Sequence, residues 1–289
     1  MRLRTVAVLL LTGGAPCAFP ADLKPATVAA FDRYIQQTEQ RLNARKTFLW
    51  ADESPDRCRR VRNGEAVVEP TGAKPVIAIA DGLIHDWVGA VFVPGVSLAA
   101  TIEHVEDYDH ARTHHREVMD SRIISRHGND FLVYMRLIKK KVITVVLDSE
   151  HDIHYFPIDA THCRSQSRTV KIAEVDKPGK PGEHEMPPGT GNGFLWRLDT
   201  YWRFQERDGG TWIECEAISL TRDIPTGLGW LIEPIIRSLP RESLENTLRE
   251  TAAALSGTKA DALGILLPGG EDGSLKSLAP ALTRPRRSP

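Results

Sequence analysis

Trp202-Arg-Phe-Gln-Glu-Arg-Asp-Gly-Gly-Thr-Trp-Ile-Glu-Cys-Glu216 reads as two strands folded back on each other. Phe194–Gln205 runs into Asp208-Gly209-Gly210, and Trp212–Thr221 returns from it. Asp-Gly favours the positive φ angles of a tight hairpin turn, so the two segments are predicted to be antiparallel neighbours. The pattern repeats upstream. Ser121–Arg126 ends at His127-Gly-Asn-Asp, Phe131–Ile138 ends at Lys139-Lys-Lys, and Val142–Leu147 returns. Ile153–Ile158 ends at Asp159-Ala160, and Cys163–Val175 follows. Short strands joined in sequence by tight turns predict an antiparallel meander rather than a parallel sheet.

Helical patterns flank the meander. Ser97–Tyr108 has Leu98, Ile102 and Val105 at helical spacing, with Ser97 placed to cap it. Before it, Asp81–Val93 reads as a strand stopped at Pro94-Gly95. Pro25–Arg45 reads as a helix with Val28, Phe31, Ile35 and Leu42 on one face. Val67-Val68 and Val76–Ile79 are short strand candidates. After Asp223 one apolar stripe is Leu228, Ile232, Ile235 and Leu239; a second is Leu244, Leu248, Thr251 and Leu255. Pro240 lies between them, which allows one kinked helix or two consecutive ones. Asp176–Gly193, dense in Pro and Gly, is either a flap at the mouth of the sheet or a passive loop.

The order helix, strand, short helix, antiparallel meander, long C-terminal helix resembles the helix-grip fold of the START-like (SRPBCC, polyketide cyclase-like) superfamily. Three stretches carry the likeness within Gly82–Leu255: Val105-Glu-Asp-Tyr-Asp-His with Glu117–Gly128, the Trp202–Glu216 hairpin, and Pro240-Arg-Glu-Ser-Leu-Glu-Asn-Thr-Leu248. The resemblance implies an α+β fold, a curved antiparallel sheet wrapped around the C-terminal helix, and a cavity for an apolar or amphipathic molecule. It implies no universal active-site motif. The chain then divides into a signal peptide (1–21), an N-terminal helical extension (22–80), the helix-grip domain (81–257) and a flexible tail (258–289).

Strand parity nominates ligand-binding residues. Trp196, Thr200 and Trp202 are expected to share the face toward the helix, as are Cys215, Ala217 and Ser219 of the returning strand. Trp230 would face them from the helix. The aromatic stripe fits a pocket wall or plain core. Ser165, Ser167 and Thr169 alternate with Arg164, Gln166 and Arg168, so that strand is polar on both faces. It suits either hydrogen bonding to a ligand head group or an exposed edge.

Other chemistry finds little support. A formal net charge of -1 offers no electrostatic basis for nucleic acid or an anionic membrane surface. There is no Gly-x-Ser-x-Gly elbow, phosphate loop or dinucleotide fingerprint, so no catalytic residue and no cofactor is assigned. His104, His110, His114 and His115 lack a zinc motif and read as solvated surface. Asp152 and His154 share a strand face and could form an acid–base pair. Cys58, Cys163 and Cys215 show no CxxC spacing.

Met1-Arg-Leu-Arg, the apolar run Val6–Leu11 and the small residues to Ala18 have the order of a secretory signal, cut after Ala18 or Ala21. Gly14-Ala15-Pro16 before Cys17 is a poor lipobox. The expectation is a periplasmic or secreted protein, with no integral membrane segment after signal removal, that binds a lipid-like molecule. Its competitors are a cyclase- or hydrolase-like enzyme using the same cavity, and an interaction protein whose cavity is filled by its own side chains.

Overall fold

A computed structural model describes residues 22–140, 144–223 and 229–257, without the side chains of 229–237. The signal-like segment and the tail lie outside the described residues. Within them the chain is α+β, as expected. Helix α1 (Pro25–Ala44) leads through a 3-10 turn at Trp50–Glu53 to α2 (Pro55–Arg62), which Ser54 caps by accepting from Arg57 N. Strands β1 (Val67–Pro70), β2 (Ile77–Ile79) and β3 (Gly82–Pro94) follow. Helix α3 (Leu98–Glu106) is capped by the Ser97 side chain, and a 3-10 turn at Tyr108–Thr113 follows it. The meander comprises β4 (Val118–His127), β5 (Asp130–Lys140), β6 (Thr144–Pro157) and β7 (His162–Asp176). Short β8 (His184–Glu185), then β9 (Arg197–Arg207) and β10 (Gly210–Arg222), complete it, and α4 (Gly229–Leu255) ends the fold.

The strands form one antiparallel sheet in the order β1-β3-β10-β9-β7-β6-β5-β4, with β2 on β3 and β8 on β7. Because β1 and β2 both pair with β3, the sheet reaches back before residue 81. The β9–β10 turn is the tightest sequence signal to survive intact. Arg207 pairs with Gly210, and Asp208 and Gly209 between them have φ of 57° and 75°. Two consecutive positive φ angles match the right-handed twist of the flanking strands.

Each face of the sheet has its own helical cover. On one, α4 and α3 close over Trp87, Val91, Phe131, Ile153, Phe204, Ile213 and Cys215, with Leu244 and Leu248 pointing in. On the other, Phe31, Ile35 and Leu42 of α1 meet Ile84, Tyr201, Ile218 and Leu220. The segment around Trp50 and Val61 covers Val88, Ala90, Phe92 and Trp212 there. So α1 is the second layer of the sheet. Period-two alternation of apolar residues on both faces of β3 and β10 is what two covers require. Pro240 neither breaks nor divides α4, which is assigned as one helix.

Close approach of α4 depends on Gly89. A β-carbon there would lie 2.7 Å from Leu248 Cδ1 and 2.8 Å from Val68 Cγ2. The Asp176–Gly193 segment is tied down rather than loose. Leu23 N donates to Gly189 O, while Asn192 N and Phe194 N donate to the Glu174 carboxylate.

Candidate ligand-binding face

Register brings the nominated strand residues together on the α4 side. One cross-strand row reads Tyr155, Ser165, Trp202, Cys215; the next reads Ile153, Ser167, Thr200, Ala217; and Ser219 lies opposite Leu198. β7 sits between β6 and β9, so the edge-strand reading of its polar residues is overturned. Thr200, Trp202 and Ala217 are partly exposed, whereas Cys215 and Ser219 are buried. Trp202 and Phe204 stack with their planes 2° apart.

The hydroxyls divide into those already engaged and those not. Thr200 Oγ1 accepts from Trp202 Nε1 at 3.1 Å, and Thr169 Oγ1 accepts from Leu198 N at 3.1 Å. Ser165 is 5% exposed and Ser167 is 8% exposed, and among the described residues neither hydroxyl has a hydrogen-bond partner. Trp87 Nε1, on the same face, is also buried without one. Buried polar groups without partners are uncommon and costly, at roughly 1–3 kcal/mol each.

His151 belongs to this face and was not nominated. It lies opposite Thr169, and its Nε2 is 3.0 Å from Ser149 Oγ. Ser149 Oγ donates to Met135 O, so it accepts from His151, which assigns the Nε2–H tautomer and leaves Nδ1 an acceptor. Burial pushes its pKa down to about 4, so the ring is neutral at pH 7. Alternation with Ile153 and Tyr155 was the signal available in the sequence. Tyr108 and Tyr155 join their hydroxyls at 2.7 Å near α3.

Of the nominated residues, one does not join the others and one cannot be placed among them. Trp196 packs with Phe31 and Ile35 on the α1 side. It precedes β9, just after Gly191 and Gly193, whose φ values are 92° and 70°. Those glycines turn the chain, and parity holds only inside a hydrogen-bonded ladder. Trp230 has its side chain outside the described residues.

The catalytic alternatives are not assembled here. His154 sits on the α1 side of the sheet, 2.7 Å from Asp130 and 3.3 Å from Asp152, with Asp130 exposed and the other two half-buried. Burial pushes the Cys163 thiol up to about 11 and raises Cys215 well above the ordinary thiol value, so neither is a ready nucleophile. The three described cysteines are free. Among the described residues no three His, Cys, Asp or Glu side chains are grouped to hold a metal, and no helix is long and apolar enough to cross a membrane.

No family model matches the chain. No curated protein matches it either. Solved structures are similar in outline. A STAR-related lipid transfer protein fragment from Xanthomonas axonopodis is 14% identical with a TM-score of 0.43, over 62% of this chain and 97% of that one. A START superfamily protein from Mycobacterium smegmatis is 10% identical with a TM-score of 0.42, over 60% and 98%. An aromatase/cyclase from Streptomyces sp. R1128 is 12% identical with a TM-score of 0.35, over 60% and 93%. At TM-scores this low the likenesses carry no argument about ligand or chemistry.

Proposed function

We propose that this chain is an exported binding protein that holds a lipid-like, amphipathic molecule between the sheet and α4. One observation carries the reading: Ser165 and Ser167 are buried residues whose hydroxyls take no partner among the described residues, directly beside Trp202 and Thr200. A ligand head group would complete those bonds, and its apolar part would lie along Trp202, Cys215 and Ala217. Apolar burial contributes roughly 25 cal/mol per Å², while the hydroxyls set the orientation. The signal-like order of residues 1–21 supports the export half of the proposal, and N-terminal sequencing of the protein from its native cells tests that half.

Tryptophan fluorescence titration with fatty acids, sterols and quinones tests the binding half, together with native mass spectrometry of protein purified without detergent. Saturable emission change, lost on Ser165→Val, is expected. No change with any of the three classes, and no co-purified mass, would favour the interaction protein with a filled interior.

A further inference from the structure

On the α1 side, where the helix ends, Leu42, Phe48, Phe156, Ile158, Arg164 and Arg203 line a pocket of about 550 Å³. Its size suits a small ligand. Its charge is unbalanced. Phe156, Arg164 and Arg203 lie directly opposite one another on β6, β7 and β9. Like charges at opposed positions of an antiparallel pair destabilise it. Neither guanidinium has a carboxylate partner among the described residues. Arg164 lies over the Phe156 ring at 4.8 Å, and Arg203 donates to the backbone oxygens of Phe48 and Leu42 at 2.9 and 3.0 Å. Lys46, also lining the pocket, is unpaired in the same sense.

The nearby acids are already engaged. Glu214 is bound by Arg45 and by Trp50 N, and Glu53 lies 3.9 Å from Arg45. Glu39, one turn back on α1, takes bonds from Arg168, Gln166 and Tyr201. Desolvation first, and then Arg45, push Arg203 down to about 10, against the opposing pull of Glu214 and Glu216. Apolar side chains meet this cationic wall at an open rim, with Phe156 38% and Ile158 54% exposed.

We propose that this pocket is a second binding site, for a carboxylate or phosphate carried on an apolar group. The oxyanion sits between Arg164 and Lys46, and the apolar part lies against Phe48, Phe156 and Ile158. A guanidinium suits a carboxylate or phosphate because its planar donors can bind two oxygens at once. The site is on the opposite side of the sheet from Ser165 and Ser167, so it stands or falls separately from the α4-side reading.

Calorimetric titration of the full chain with dodecanoate, dodecyl phosphate and inorganic phosphate tests it. Both amphiphiles should bind, with inorganic phosphate at least tenfold weaker. Arg164→Glu should weaken both amphiphiles at least tenfold, Arg164→Lys should restore part of the affinity, and the Arg164-dependent part of the binding should persist in the Ser165→Ala/Ser167→Ala pair, whatever that pair loses on the α4 side. Arg164 is exposed, and an unchanged melting temperature checks that its variants fold. Sedimentation with phosphatidylglycerol against phosphatidylcholine vesicles separates the sources. Pelleting with the anionic vesicles alone, lost in Arg164→Glu, assigns the oxyanion to a lipid headgroup; no pelleting with amphiphile binding intact assigns it to a free molecule. Binding that is absent, indifferent to Arg164→Glu, or lost in the serine pair overturns the site.

Discussion

Ser165 and Ser167 show how a hydroxyl can matter for binding and not for stability. A hydroxyl with no protein partner contributes no intramolecular hydrogen bond to the empty protein. Ser165→Ala and Ser167→Ala should therefore change unliganded stability by less than about 1 kcal/mol, while weakening any head-group ligand. Urea unfolding with and without ligand separates the two effects; equal losses in both would mean that the hydroxyls are structural. His151 sets a pH dependence at the same scale. Its folded pKa of about 4 lies below the usual 6.5, so the unfolded chain takes up the proton first on acidification. This contribution should be fully present above about pH 6.5 and lost as pH falls toward 4, by on the order of 3 kcal/mol. Urea midpoints of the parent and of His151→Gln should diverge from pH 7 to 4, with the parent losing more stability than the variant toward pH 4.

At the scale of elements, the two sheet covers are held differently. α4 is held by apolar fit: Leu248 is fully buried and seats over Gly89. Leu248→Asp should cost several kcal/mol, because it buries a charge without a partner. A variant melting like the parent would place α4 elsewhere. α1 adds a polar strap to its apolar face. Tyr34 donates to Asp86 at 2.8 Å, Arg41 reaches Glu216, and Arg45 reaches Glu214 at 2.6 Å. Desolvation and the nearby Glu216 push Asp86 up to about 7. A carboxyl raised on folding holds its proton longer in the native state than in the unfolded chain. Stability should thus fall as pH rises from about 4 to 7, and Asp86→Asn should remove that loss. Thermal melts of parent and variant at pH 5 and pH 8 check the sign: the parent should lose more on going to pH 8.

At the scale of the whole molecule, the sheet separates two different environments. Hydroxyls, an imidazole and aromatic rings of β6, β7 and β9 face α4, while the buried carboxylates of β10 are paired with arginines of α1 and its following loop. His151 and Asp86 therefore oppose each other between pH 4 and 7. The double variant His151→Gln/Asp86→Asn should show a flatter stability profile in that window than either single variant. A double-variant profile as steep as that of either single variant would assign the dependence to other groups.

Hairpins and helix patterns come from local chemistry, so the sequence by itself determined the antiparallel meander, the Asp208-Gly209 turn and the parity of Thr200, Trp202, Ser165 and Cys215. A period of two assigns residues to opposite faces without any knowledge of neighbours. Only the tertiary structure decided which cover each face receives. Parity cannot tell an exposed face from one covered by a distant helix, so the landing of α1 on Ile218 and Leu220 was not legible. For the same reason β7 could be taken for an edge strand, since strand order depends on pairings far apart in sequence. Trp196 was misplaced because it lies between a glycine turn and a ladder that begins one residue after it, and only coordinates show where a ladder begins. The cationic pocket arises where residues 42–48, 156–158, 164 and 203 meet, a juxtaposition that no sequence period encodes.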